Sequence, residues 1–292
     1  MLAPKDPRVF VARALAWRAK NELGLAVQDL DRAIALDASD ARLFNERGAT
    51  LQAAGELDRA LSDFTEAVRL DASFARARAN RGLVHLVRNN LDAAIADLDE
   101  ALRLAPGDAD SLINRGAALQ LKGNLDRARA DYDAVLRTAP DNATALSGRG
   151  NVHLARGDYD RAIADYDRAI GLSPDFAVTY SNRARAWRSK GDSTRALADL
   201  DQAIRLAPED ASSYNSRAWT YQLAGRDAEG LTDANKAIEL NPNDPNAYDT
   251  RGTIYVKLGL RDKAIADFRK ALQLNPAIQS SAEGLRKLGA AR

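Results

Sequence analysis

Arginine and aspartate recur in this chain at an offset that can either pair charge or display it. Arg13, Arg47, Arg81, Arg115, Arg149, Arg183, Arg217 and Arg251 stand 34 residues apart. Sixteen residues after each comes an aspartate: Asp29, Asp63, Asp97, Asp131, Asp165, Asp199, Asp233 and Asp267. Eight free guanidinium groups would bind a polyanion, whereas eight matched pairs would make bidentate hydrogen bonds that fix helix register. The constant acid favours pairing, because a binding arginine needs no carboxylate at a fixed distance in every copy. Such pairs run either inside one repeat or from one repeat to the next. Desolvation offsets much of their attraction, so register rather than stability is the expected consequence.

No other residues converge on chemistry. The two histidines, His85 and His153, share a column with Trp17, Leu51, Leu119, Trp187, Tyr221 and Tyr255, which reads as interhelical packing. There is no cysteine, no glycine-rich phosphate loop and no cluster of metal-ligand spacing. The sequence therefore predicts no catalytic residues, no cofactor, no metal and no enzyme. A formal net charge of +1 over 292 residues gives no overall field towards nucleic acid or anionic membrane. No apolar run reaches the roughly eighteen residues of a membrane span. Met1 to Arg8 carries charge where a leader would be apolar, which implies a cytoplasmic location. Met1 fits a natural start or the start of a segment cut from a longer protein.

The elements that position these columns follow from the same period. Small residues return as Ala14, Gly48, Gly82, Gly116, Gly150, Ala184, Ala218 and Gly252, and again as Ala26, Ala60, Ala94, Ala128, Ala162, Ala196, Gly230 and Ala264. In residues 143–176, Ala145, Leu146, Arg149, Gly150 and His153 mark one face of a first helix, A, broken at Gly157. Asp160 takes the expected N-cap of a second helix, B, whose face is Ile163, Tyr166, Ile170 and Leu172, and Pro174 stops it. Proline repeats this stop from Pro106 to Pro276, with Ala38 and Ala72 in the first two copies. Asp6, Asp40, Asp108, Asp210 and Asp244 are placed to cap A helices. Gly or Ala facing Ala lets the two helices of a hairpin approach, and residues such as Phe64, Tyr132 and Phe268 fill the flanks. Ala234 beside Gly230 predicts that residues 211–244 form the loosest copy. The resulting fold is all-α, eight antiparallel helix pairs spanning 7–40, 41–74, 75–108, 109–142, 143–176, 177–210, 211–244 and 245–278. Residues 279–292 predict a C-terminal capping helix, with Ala282, Leu285 and Leu288 on one face.

The array resembles the tetratricopeptide repeat family, most fully in Tyr248, Gly252, Tyr255, Ala264, Phe268 and Pro276. That resemblance implies a right-handed superhelical α-solenoid whose A helices line a concave groove that holds peptide segments of partner proteins. It also implies the groove residues Arg42, Asn45, Arg76, Asn80, Asn114, Asn151, Asn182, Arg185, Arg188, Asn215 and Trp219, with Arg8, Arg18, Glu46, Asp110, Asp249 and Lys257 adding to their charge. Seven of these are basic and three acidic, so an acidic or C-terminal segment is the expected partner. An amide both donates and accepts, so the row Asn80, Asn114, Asn182 suits an extended backbone, and Arg185 and Trp219 are of the types that become hot spots. The five-residue clamp with which some family members hold a terminal carboxylate is not reproduced. Asn151 and Asn182 fit it, but Ser147, Ser212 and Ser216 replace its basic residues.

The expected function is a non-catalytic scaffold for protein or peptide partners, without nucleic acid or membrane. Two alternatives stay open: an assembly or regulatory module of a larger protein, and a self-associating homo-oligomer. An RNA-binding array has less support, because the groove has few aromatic residues.

Overall fold

The computed structural model describes residues 6–290, and among them every regular element is an α-helix. Residues 1–5, where the absence of a leader is read, and Ala291 and Arg292 at the end of the 279–292 segment lie outside the described residues. The chain divides into two compact halves, residues 1–140 and 141–292.

The N-terminal half holds four hairpins: α1 (Pro7–Ala19) with α2 (Leu23–Leu36), α3 (Ala41–Ala53) with α4 (Leu57–Leu70), α5 (Ala75–Val87) with α6 (Leu91–Leu104), and α7 (Ala109–Leu121) with α8 (Leu125–Thr138). The C-terminal half holds four more: α9 (Ala143–Ala155) with α10 (Tyr159–Leu172), α11 (Ala177–Ser189) with α12 (Ser193–Leu206), α13 (Ala211–Leu223) with α14 (Asp227–Leu240), and α15 (Pro245–Lys257) with α16 (Arg261–Leu274). Helix α17 (Gln279–Lys287) follows them. Within each half every helix packs on the next, and A helices of successive repeats lie side by side: α3, α5 and α7 in one half, α9, α11, α13, α15 and α17 in the other.

Local chemistry sets the boundaries. Asp6, Asp40, Asp108, Asp210 and Asp244 each accept a main-chain N–H in the first turn of an A helix, and Asn142 does the same for Ala145. Between helices A and B the turn needs positive φ. Gly157 supplies it at φ 77°, and Asn89 adopts φ 59° in the third hairpin. In the first two repeats, where proline is missing from the B-helix stop, Asp37 and Asp71 accept the N–H and hydroxyl of Ser39 and Ser73. One expectation shifts: α10 is preceded by Asp158, and Asp160 lies inside its first turn. There its charge meets the positive end of the helix and pairs with Lys190.

The small columns bring the two backbones together, as where a Cβ on Gly82 would lie 3.3 Å from the Ala94 carbonyl oxygen, and the first column has a further role. In an A helix the small residue makes room for the large residue of its own B helix. A Cβ on Gly48 would lie 2.8 Å from Phe64, one on Gly150 2.7 Å from Tyr166, and one on Gly252 2.7 Å from Phe268. Alanine takes that place only opposite smaller partners, as Ala14 opposite Leu30 and Ala184 opposite Leu200. Ala218 and Ala234 of residues 211–244 form one buried cluster with Ile254 of the next repeat. Gly230 brings α14 so near that a Cβ there would meet the Ala218 carbonyl oxygen at 2.9 Å. Close backbone approach thus takes up part of the volume that the missing ring would have filled.

Candidate functional site

The arginine ladder is paired throughout. In all eight hairpins Nε and Nη2 of the A-helix arginine donate to the two carboxylate oxygens of the B-helix aspartate at 2.6–2.9 Å. The third nitrogen, Nη1, reaches back to the preceding repeat. It meets Asp31 from Arg47, Asp99 from Arg115, Asp167 from Arg183 and Asp201 from Arg217 at 2.6–2.7 Å, and Asn235 from Arg251 at 2.9 Å. The invariant aspartate therefore pairs inside its own hairpin, the link to the preceding repeat is made by a different column, and each such arginine ties three helices together. These columns are committed to the scaffold and leave no free cations for a polyanion.

The histidines belong to the same scaffold. His153 is buried with Nε2 3.9 Å from Asp165, and His85 lies 4.0 Å from Asp97. Burial pushes both below the usual histidine range, against the pull of these aspartates. No group of three or more metal-ligating side chains occurs among the described residues, and no helix among them is long and apolar enough to cross a membrane.

What the ladder leaves is the other face of the A helices. In the N-terminal half that face is largely closed by its own contacts. Arg18 Nη1 donates to Glu46 at 2.9 Å, and Asn80 Nδ2 donates to Asn45 Oδ1 at 2.9 Å. Asn45, expected to line a groove, is only 2% exposed, because this amide pair lies between α3 and α5. Arg42 folds back on Asp40, its own helix cap. Arg76 is exposed, and half-buried Asn114 has no hydrogen-bond partner among the described residues.

The C-terminal half is open where its counterpart is closed. Asn151 accepts from the Tyr166 hydroxyl at 2.7 Å, while the half-buried Asn182 amide is unpartnered among the described residues. A cavity of about 710 Å³ lies along α11, α13, α15 and α17. Arg185, Arg188, Asn215 and Trp219 line it, with Ser212, Ser216, Asp249, Thr250, Thr253 and Ser280. Arg188 stacks on the Trp219 ring, 4.2 Å from its centroid, and Trp219 remains 48% exposed. Neither Arg185 nor Arg188 has a carboxylate partner among the described residues. Arg188 reaches only the Ser216 carbonyl at 3.4 Å and the Thr220 hydroxyl at 3.5 Å. Burial, with the like charge of Arg185, pushes its guanidinium down to about 10. At the far side Asp249 accepts from Ser280 at 2.7 Å and from the buried Ser281 hydroxyl. Thr250, Thr253 and Ser280 line the cavity without any mark in the repeat pattern, and Ser216 enters the sequence reading only as a replaced basic position of the clamp. The signal for Ser216 is the 28-residue offset that pairs Arg18 with Glu46 and that, counted from Arg188, lands on a serine.

Each half is thus a stack of helix hairpins, the build of an all-α repeat protein of the solenoid class, and the C-terminal half carries an open cavity along its A helices. Tetratricopeptide repeat models match residues 45–109, 114–175 and 182–245, and another matches 245–278. The chain belongs to the tetratricopeptide repeat family. Among solved structures, a tetratricopeptide repeat protein from Parabacteroides merdae is similar, with 21% identity and a TM-score of 0.68 over 85% of this chain and 98% of that one. The Cut9–Hcn1 hetero-tetramer of APC/C also aligns, at 15% identity and a TM-score of 0.76 over 91% of this chain and 52% of that one. At these identities the likeness is one of fold. No curated protein matches the sequence.

Proposed function

We propose that the chain is a non-catalytic interaction scaffold that holds an extended peptide segment of a partner protein against its A helices, and that an acidic or C-terminal segment fits best. The coarser part, a scaffold for protein partners, is what membership of this repeat family supports. The finer part rests on one observation: Arg185 and Arg188 line an open cavity without a carboxylate partner, beside a half-exposed tryptophan. A volume of about 710 Å³ suits a few side chains of a ligand. Arginine and tryptophan in such a recess are the residue types that dominate binding energy. Asn182 and Asn215 add amide groups able to pair with a peptide backbone.

Capture from a display library of random peptides tests this reading. Wild type is expected to enrich acidic sequences, and Asn182→Ala/Arg185→Ala/Trp219→Ala to lose most of that enrichment. Equal capture by the triple variant would reject the placement of the ligand on this face.

A further inference from the structure

The chain contains two copies of one side-chain arrangement, one complete and one lacking its partners. In the N-terminal half the complete copy comprises Arg18, Glu46, Asn45 and Asn80. Arg18 donates to the Glu46 carboxylate at 2.9 Å, and Asn80 donates to Asn45 Oδ1 at 2.9 Å. Five repeats later the same columns hold Arg188, Ser216, Asn215 and Thr250. The arginine and the first asparagine are kept, but the carboxylate has become a hydroxyl and the donating amide a threonine. Both losses leave an unmet group. Arg188 Nη1 reaches only a main-chain carbonyl at 3.4 Å and a hydroxyl at 3.5 Å, and Asn215 Oδ1 is buried without any hydrogen-bond partner. An unpaired half-buried guanidinium and an unpaired buried acceptor each carry a desolvation cost, which matching groups would relieve.

Resting on the peptide-binding reading above, we infer that this vacated position is a carboxylate seat. A ligand carboxylate takes the place that Glu46 fills in the complete copy and binds Arg188 with Arg185. The Trp219 ring, already held by Arg188 on one side and 48% exposed, offers its free surface to an apolar side chain next to that carboxylate. The preferred ligand is therefore a peptide with an acidic residue, or its own C-terminal carboxylate, adjoining a large apolar residue. Asp249, two repeats beyond Arg188 on α15 and already accepting two serine hydroxyls, disfavours a second acid on that side.

The chain's own complete copy supplies the test. Ser216→Glu places a carboxylate 28 residues after Arg188, as Glu46 stands 28 after Arg18. The variant is expected to melt higher than wild type and to bind acidic peptides roughly tenfold more weakly or worse, because the seat is filled from within. Arg188→Gln is expected to lose the same peptides without the gain in melting temperature. Synthetic peptides carrying Glu-Phe in a Gly/Ser background, titrated by anisotropy against the full chain, provide the probe. A Gln-Phe series and C-terminally amidated versions separate a side-chain from a terminal carboxylate. Circular dichroism checks that both variants keep wild-type helix content, and Trp219→Ala supplies an independent third variant at an exposed position. If Glu-Phe and Gln-Phe peptides bind alike, or Ser216→Glu leaves binding unchanged, the carboxylate seat is refuted while peptide binding stands. If wild type captures no peptide from the random library, both readings fall.

Discussion

Arg47 holds Asp63 through two parallel hydrogen bonds, Nε to Oδ2 at 2.8 Å and Nη2 to Oδ1 at 2.7 Å, and turns its remaining Nη1 to Asp31 at 2.7 Å. The arginine side chain is 21% exposed and the Asp63 side chain 8%. Asp63→Ala leaves a mostly buried guanidinium with two of its three hydrogen bonds unfilled. The expected loss is about 2–4 kcal/mol in urea unfolding. Replacing both partners, Arg47→Met with Asp63→Leu, removes the charge together with its desolvation cost, so the double variant should recover most of that loss. A double variant as unstable as Asp63→Ala would show that the pair contributes net free energy rather than register.

The glycine at 48 is required by a ring. Its Cβ would sit 2.8 Å from Phe64, whereas Ala14 and Ala184 occupy the same column opposite leucines. Gly48→Ala should therefore cost about 1–3 kcal/mol from overpacking, despite the better helix propensity of alanine. Adding Phe64→Leu recreates the Ala14–Leu30 pairing. The two changes should couple favourably by about 1 kcal/mol in a double-mutant cycle. Simple additivity would contradict the packing assignment.

These two relationships show what the sequence makes legible. A period of 34 residues exposes any column that never varies, so the helix pairs, their caps and the Arg–Asp offset can be read directly from the residues. A second partner that varies is harder to see. Arg47, Arg81 and Arg251 find Asp31, Thr65 and Asn235 with their third nitrogen, and only the structure brings that mixed column next to the arginines. The groove was legible as a face but not as open or closed. Asn45 and Asn215 occupy one column, yet one accepts from Asn80 and the other, with Thr250 at the position of that amide, has no partner for its Oδ1. Whether a polar residue is available depends on neighbours one repeat away, which the pattern of a single column does not contain.

His85 and His153 make stability depend on pH. Burial holds both below the ordinary value of 6.5. Asp97 is the acid facing His85, with Arg81 and Arg88 opposing it. His153 faces Asp165 and Asp158, with Arg149 and Arg161 opposing them. The unfolded chain binds protons at a higher pH than the folded one. Stability contributed by the neutral folded imidazoles is thus fully present above about 6.5 and is lost as pH falls from there through the folded values. The melting temperature should drop between about pH 7 and pH 5.5, and His85→Gln/His153→Gln should lose a visibly smaller amount over that interval. Parallel profiles for the two proteins would assign the acid sensitivity elsewhere.

Helix α17 is seated on Phe268 through a glycine. A Cβ on Gly284 would lie 2.5 Å from the Phe268 ring, and Leu285 and Leu288 pack into the same cluster with Ala264. Ser281, fully buried, anchors the start of the helix to Asp249. Gly284→Val adds three carbons where none fit, so α17 must lift and expose the apolar face of α16. Hydrogen exchange should become faster in residues 279–288 before any other segment, and the melting temperature should fall by several degrees. Because Asp249 and Ser280 line the cavity that holds Arg188, the same substitution should also weaken peptide capture without touching either arginine. Asp249→Asn keeps an acceptor for Ser281 while removing the charge, so it should leave α17 protected from exchange. If Gly284→Val leaves both exchange and capture unchanged, α17 neither covers α16 nor shapes the cavity.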